Sequence, residues 1–294
     1  MRRLLQPVLL LVVASAACDH RESPPPGASA TPAPAASTSP ARALSRADFN
    51  RYALRLDSPL FWAADPDGNG APEPAEIETL LFYPTSDSVD VARGIAAIQA
   101  YDPTVMPSGL SAAETARRRA VADDLDQGGL SVIHTDLRSS STADKTLLRH
   151  MLVAAKSIDD IYATMRGARA LASRVPSDDT ASQSLFRRDW GPKCAGAKSR
   201  KDPACTAIAG VTTAFDDEYP ASLQGTPDFC AALSKRPDAK AAMEDHFGVV
   251  REKDGKLVSV PYTEAYSVPM QAIAHELKAA AADETDPGET ALRA

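Results

Sequence analysis

After residue 43, apolar side chains recur at three-and-four spacing through most of the chain, and each such run predicts a helix. Ser45 is an N-cap before a helix reaching about Leu56, with Phe49, Tyr52, Ala53 and Leu56 on one face. Residues 88–100 predict a second helix, with Val91, Ile95 and Ile98 in line. Ser111 and Glu114 form a capping box that opens a helix to about Gln127, stopped by Gly128 and Gly129. The longest stripe starts at Thr142 and carries Leu148, Met151, Leu152, Ala155, Ile158, Ile161, Tyr162, Met165 and Leu171 to about Arg174, just before Pro176. Such a stripe reads as core. His150 falls beside it, which places that ring on the surface. A last helix spans about 265–281.

The period changes to two around Val249-Val250 and 257–260, which flank Glu252-Lys-Asp-Gly255. Asp-Gly between apolar runs predicts a β-hairpin near 249–260. Residues 130–133 read as a short extended piece. The fold class expected is mainly α: an irregular helical domain with one calcium-type loop and this small hairpin.

The loop occupies residues 65–76. Asp65, Asp67 and Asn69 stand at its first, third and fifth places, Gly70 at the sixth and Glu76 at the twelfth. This is D-x-D-x-N-G-x₅-E, which resembles the calcium loop of an EF-hand. Calcium takes six to eight oxygens, and the pattern offers side-chain oxygens at alternate positions. Ala71 would add its carbonyl, Glu73 a direct or water-bridged contact, and Glu76 both carboxylate oxygens. Ser58-Pro59 predicts a short entering helix, and Ile77, Leu80 and Leu81 an exiting one. Pro72 fills the eighth place, where it has no N–H to offer a partner loop. The pattern does not recur in the chain, so the expected affinity is weak, roughly 10⁻⁴ to 10⁻³ M. The alternative is an Asp/Asn/Gly-rich surface turn without an ion.

The N-terminus reads as an export signal over residues 1–17. Arg2 and Arg3 precede a short apolar stretch from Leu4 to Val13, and Ser15-Ala-Ala17 are small residues before Cys18. That ending resembles the lipobox of bacterial lipoproteins, which implies a lipid on Cys18, although Leu is usual where Ser15 stands. An ordinary signal peptide is the alternative. Residues 18–43 are mostly Pro, Ala, Ser, Thr and Gly and read as a disordered tether. The domain organisation is thus signal, lipid-anchored linker, and a helical domain from 44 to 294. The expected localisation is exported, periplasmic or cell-envelope, with the membrane reached through the lipid.

Net charge is −7 over the chain; without residues 1–17, 30 basic residues face 39 acidic ones, a balance of −9. This argues against nucleic acid as a partner. An exported chain can oxidise its cysteines. Cys194 and Cys205 bracket a Lys/Gly/Pro-rich loop and are the preferred pair, leaving Cys230 a buried free thiol; Cys230 can instead take either partner, since spacing does not fix connectivity. No C-x-x-C or H-x₃-H spacing offers a zinc site.

No nucleophile elbow, phosphate loop or dinucleotide fingerprint occurs. His275-Glu276 lacks the second histidine of H-E-x-x-H, because residue 279 is alanine. The segment 182–191 holds two Arg, an Asp and a Trp, which either line a pocket or lock a loop against the core.

Leu-Phe-Arg-Arg-Asp-Trp-Gly-Pro-Lys-Cys (185–194), Arg149-His-Met-Leu152 and Val260-Pro-Tyr-Thr-Glu-Ala-Tyr266 are similar to the N-terminal half of exported bacterial relatives of the dipeptidyl peptidase III (M49) family. The resemblance covers about 44–294. It implies that the zinc-binding helix of that family lies in a C-terminal half not present in this chain, and it accounts for the helix-like Glu289-Thr-Ala-Leu-Arg-Ala294 ending after about one turn, for which a frayed polar tail is the alternative. The expected function is therefore an exported, lipid-anchored calcium-binding protein without catalysis of its own. The alternatives are the non-catalytic portion of a dipeptidyl peptidase III-like zinc metallopeptidase awaiting a missing C-terminal half, and a tethered module for a protein partner.

Overall fold

The computed structural model describes residues 43–80, 89–128, 136–211, 216–224 and 228–283. Expectations for Cys18, Leu81, 130–133 and 284–294 lie outside these residues. The fold is mainly α. In chain order it runs α1 (Arg46–Arg55), β1 (Leu60–Trp62), β2 (Ile77–Thr79), α2 (Val91–Ala100), α3 (Ala112–Leu125), α4 (Thr142–Met165), α5 (Ala168–Leu171), α6 (Thr180–Asp189), α7 (Ala221–Gln224), α8 (Phe229–Ser234), α9 (Ala239–Met243), β3 (Gly248–Lys253), β4 (Lys256–Pro261), α10 (Tyr262–Ala265) and α11 (Ser267–Asp283). Short 3₁₀ turns cover Pro74–Glu76 and Ala172–Arg174.

The helix starts follow side-chain chemistry. Ser45 accepts from the Asp48 N–H, Ser111 from Glu114 and Ser141 from Asp144, each satisfying a donor that the helix leaves unpaired. The β3–β4 hairpin pairs Val249 with Val260 and Glu252 with Leu257. Its turn carries Asp254 and Gly255, both with positive φ.

Two predicted elements differ. The long helix stops at Met165 rather than near Arg174, because Gly167 takes a left-handed φ of 66° and closes its last turn. More consequentially, the residues flanking the calcium-type loop are strands. Leu60, Phe61 and Trp62 pair antiparallel with Thr79, Glu78 and Ile77, and the helices expected on either side do not form. An apolar, aromatic run with β-branched Ile77 and Thr79 opposite it suits a ladder. Burial then alternates, with Leu60 and Trp62 inward.

The core is a set of adjoining clusters. Phe49, Tyr52, Leu60, Trp62, Ile77, Ile95 and Ile98 pack between α1, α2 and the first ribbon. Val121, Leu125, Leu185, Phe186 and the Cys194–Cys205 disulfide form a second. Ile161, Val249, Tyr266 and Ile273 join α4, α11 and the hairpin. The α4 stripe is a correction to the core reading: Met151, Ile158 and Tyr162 are 47%, 55% and 50% exposed. Of that stripe Ile161 is buried as expected, with Met165 packed beside its cluster, and α4 also buries Ala154 and Ala163, which the stripe did not include. No helix among the described residues is long and apolar enough to cross a membrane.

Candidate functional site

The calcium-type loop leaves the end of β1 and returns to β2, so both of its ends are fixed by one ladder. The Ala63 N–H donates to the Glu76 carbonyl at 3.2 Å and extends that ladder inward. Asn50 on α1 clamps the exit of β1 from two directions. Its Oδ1 accepts the Trp62 N–H at 2.7 Å, and its Nδ2 donates to the Trp62 carbonyl at 3.2 Å. Arg46 adds a bond to the Ala63 carbonyl. The loop therefore starts from a position set by buried secondary structure rather than from an independent turn.

Within it, Asp65, Asp67 and Glu76 each bring a carboxylate oxygen to within 4.8 Å of the other two. Gly70 permits this: its φ of +69° is left-handed, and its N–H turns in to donate to Asp65 Oδ2 at 3.1 Å. Asp67 Oδ1 accepts the Asn69 N–H at 3.1 Å. Asn69 Nδ2 donates to Asp67 Oδ2 at 2.7 Å and to Glu73 Oε1 at 3.2 Å, tying both carboxylates to one amide. The Ala71 N–H donates to Asn69 Oδ1 at 2.7 Å. Of the six ligands read from the sequence, then, the fold gathers Asp65, Asp67 and Glu76, and joins Asn69 and Glu73 to them through hydrogen bonds. Ala71 enters only through its N–H.

Two features bear on whether a cation fits. The donors are hard oxygens of the kind calcium takes. Asp65 Oδ1 is buried and has no hydrogen-bond partner. A buried carboxylate oxygen without a donor costs about 1–3 kcal/mol or more, which a cation at that point removes. The residues present therefore fit a divalent ion.

Trp62 was not among the sequence candidates, yet its indole Nε1–H donates to Glu76 Oε2 at 3.1 Å. Trp62 is 2% exposed and Glu76 8%. In the sequence Trp62 falls within the expected entering helix, and nothing local marks it as a partner of Glu76.

The segment 182–191 acts mainly as a lock. Arg187 pairs with Asp57, both largely buried. Half-buried Trp190 donates from Nε1 to Asp159 at 2.8 Å, and the Arg169 guanidinium lies 5.4 Å from its ring centre. Arg188 lines an open cleft of about 940 Å³, with Asp123, Asp126 and Lys198, between the end of α3 and the disulfide loop. Cys194 and Cys205 are bonded, with Cα atoms 5.6 Å apart. Asp124 beside them accepts the Gly196 N–H at 2.9 Å and pins that loop to α3. Cys230 is exposed, not buried as expected from the sequence; α8 packs through Phe229 and Leu233. His150 is likewise not a free surface ring. Its Nδ1 lies 2.7 Å from Glu276 Oε2 and links α4 to α11, while His275 is exposed.

No protein-family model matches the chain, and no curated protein matches it. Two solved structures do. The structure of dipeptidyl-peptidase III from Corallococcus sp. strain EGB is 25% identical over 60% of this chain and 33% of its own, with a TM-score of 0.46. That of DPP III from Caldithrix abyssi is 24% identical over 58% of this chain and 32% of its own, with a TM-score of 0.44. The chain is similar in part to dipeptidyl-peptidase III structures. It spans about a third of their length.

Proposed function

We propose that this chain is an exported, lipid-anchored helical domain that holds one structural calcium ion in the loop 65–76 and performs no catalysis of its own. Asp65 Oδ1 carries the reading: it is a buried carboxylate oxygen without a donor, beside the carboxylates of Asp67 and Glu76. The ion would tie the β1–β2 ribbon to the loop between its strands. A structural role suits a single site whose flanks are paired strands, since regulatory calcium sites act by moving helices apart. Calorimetry with calcium on the chain and on its Asp65→Ala/Glu76→Ala variant tests this. Heat of binding lost in the variant is the expected result, and equal traces for the two proteins would remove the proposal. Lipidation is tested separately: Cys18→Ser is expected to move the protein from the membrane fraction to the soluble one.

A second reading makes the same domain the non-catalytic portion of a dipeptidyl peptidase III-like zinc metallopeptidase. The resemblance of 185–194, 149–152 and 260–266 supports it. All three segments have structural places here, in the disulfide cluster, in α4 and at the end of the hairpin. Activity would then belong to an assembly with a separately supplied zinc-binding part. The test is to read the DNA beyond codon 294 and to co-express what it encodes. A downstream frame carrying H-E-x-x-G-H that co-purifies with this chain is the expected result, and no such frame would dismiss the reading.

A further inference from the structure

We propose that the ion in the 65–76 loop is held through one oxygen of Glu76 rather than two, and that Trp62 is the positioning residue that sets this. The inference rests on the calcium reading above and sharpens which cations the site takes. Glu76 Oε2 accepts the indole N–H of Trp62 at 3.1 Å and the backbone N–H of Glu73 at 3.3 Å. A carboxylate oxygen has two lone-pair sites, so Oε2 is filled. Among the described residues no hydrogen-bond donor reaches Oε1, which keeps both of its own. Turning Oε2 to the ion would strand the indole N–H in a buried place without an acceptor. The independent sign of a cation at the centre is Asp65 Oδ1, buried and unpartnered.

The consequence is a smaller coordination shell. Calcium takes six to eight oxygens, and in a loop of this pattern the second oxygen of the twelfth residue raises the count. Magnesium and manganese are content with six. A Glu76 that offers one oxygen therefore removes much of calcium's advantage, and the site discriminates weakly between divalent cations.

Titration calorimetry of the full chain with calcium chloride and with magnesium chloride, repeated on Trp62→Phe, tests this. In the native chain the two Kd values are expected to lie within about tenfold of each other. In Trp62→Phe one lone-pair site of Oε2 is released, and the preference for calcium over magnesium is expected to rise about tenfold. An unchanged preference, with both metals weakened alike, is what a merely structural contact would give and overturns the proposal. Should Trp62→Phe not fold, the infrared carboxylate bands of the calcium-loaded native chain, assigned with Glu76→Gln, distinguish one-oxygen from two-oxygen binding. A two-oxygen band overturns this inference while leaving calcium binding intact. A native chain that binds neither metal overturns the calcium reading and this inference with it.

Discussion

Arg117 and Asp179 form a buried ion pair, with Nη2 2.6 Å from Oδ2, that joins α3 to the first turn of α6 across sixty-two residues of sequence. The same guanidinium donates to Glu114, to Ser182 Oγ at 2.9 Å and to the Thr206 carbonyl at 2.7 Å. Arg117 thus sews α3, α6 and the disulfide loop into one unit. Removing one partner of a buried pair leaves the other charge uncompensated, at about 3–5 kcal/mol. Arg117→Ala is expected to lower the unfolding free energy by that amount, read from denaturant titration. Exposed Arg119 on the same helix serves as the control, since Arg119→Ala is expected to stay within about 0.5 kcal/mol.

Acid acts on the same network. The hydrogen bond from Arg117, aided by one from Arg118 and opposed by partial burial, holds the Glu114 carboxyl down to about 2, from an ordinary 4.5. A carboxyl whose folded pKa is depressed stabilises the fold above its unfolded value and loses that contribution as pH falls towards the folded one. Stability is therefore expected to decline from about pH 4.5 to pH 2. Glu114→Gln is expected to flatten this limb in unfolding curves measured across the range. A limb of unchanged steepness would assign the acid sensitivity to other carboxylates.

The calcium binding proposed at 65–76 is linked to stability. A ligand that binds only the folded state at a hundred times its Kd adds about 2.7 kcal/mol. The melting temperature is expected to rise by a few degrees in saturating calcium for the native chain and to stay put for Asp65→Ala/Glu76→Ala.

The cysteines predict a chemical pattern. Alkylation of the folded, unreduced chain is expected to mark Cys230 and to spare Cys194 and Cys205, as read by peptide mass spectrometry. Replacing Cys194 and Cys205 with serine is expected to cost about 3 kcal/mol for a loop of this size. Labelling of all three would contradict the bond.

Much of the helical scaffold was legible from residues 43 onward because its determinants are local. Ser45, Ser111 and Ser141 cap by reaching three residues along their own chain, and Asp254-Gly255 turns the hairpin through its own backbone. The gathering of Asp65, Asp67 and Glu76 was legible for the same reason, since all three lie within twelve residues and Gly70 supplies the bend.

What lay beyond the sequence depended on partners distant along the chain. Ile77 reads as the start of an exiting helix, and only pairing with Trp62 makes it a strand. Asn50 reads as one more polar residue on a helix until the end of β1 arrives against it. Periodicity says which side chains of α4 share a face, but not whether anything covers that face, so Ile158 and Tyr162 were read as core and stand exposed. The sequence by itself determined local geometry, where each interaction closes within a few residues and little chain entropy opposes it. The tertiary structure alone decided the pairing of β1 with β2, the exposure of much of the α4 stripe and the hold of Trp62 on Glu76, because these depend on which separate segment comes to rest alongside.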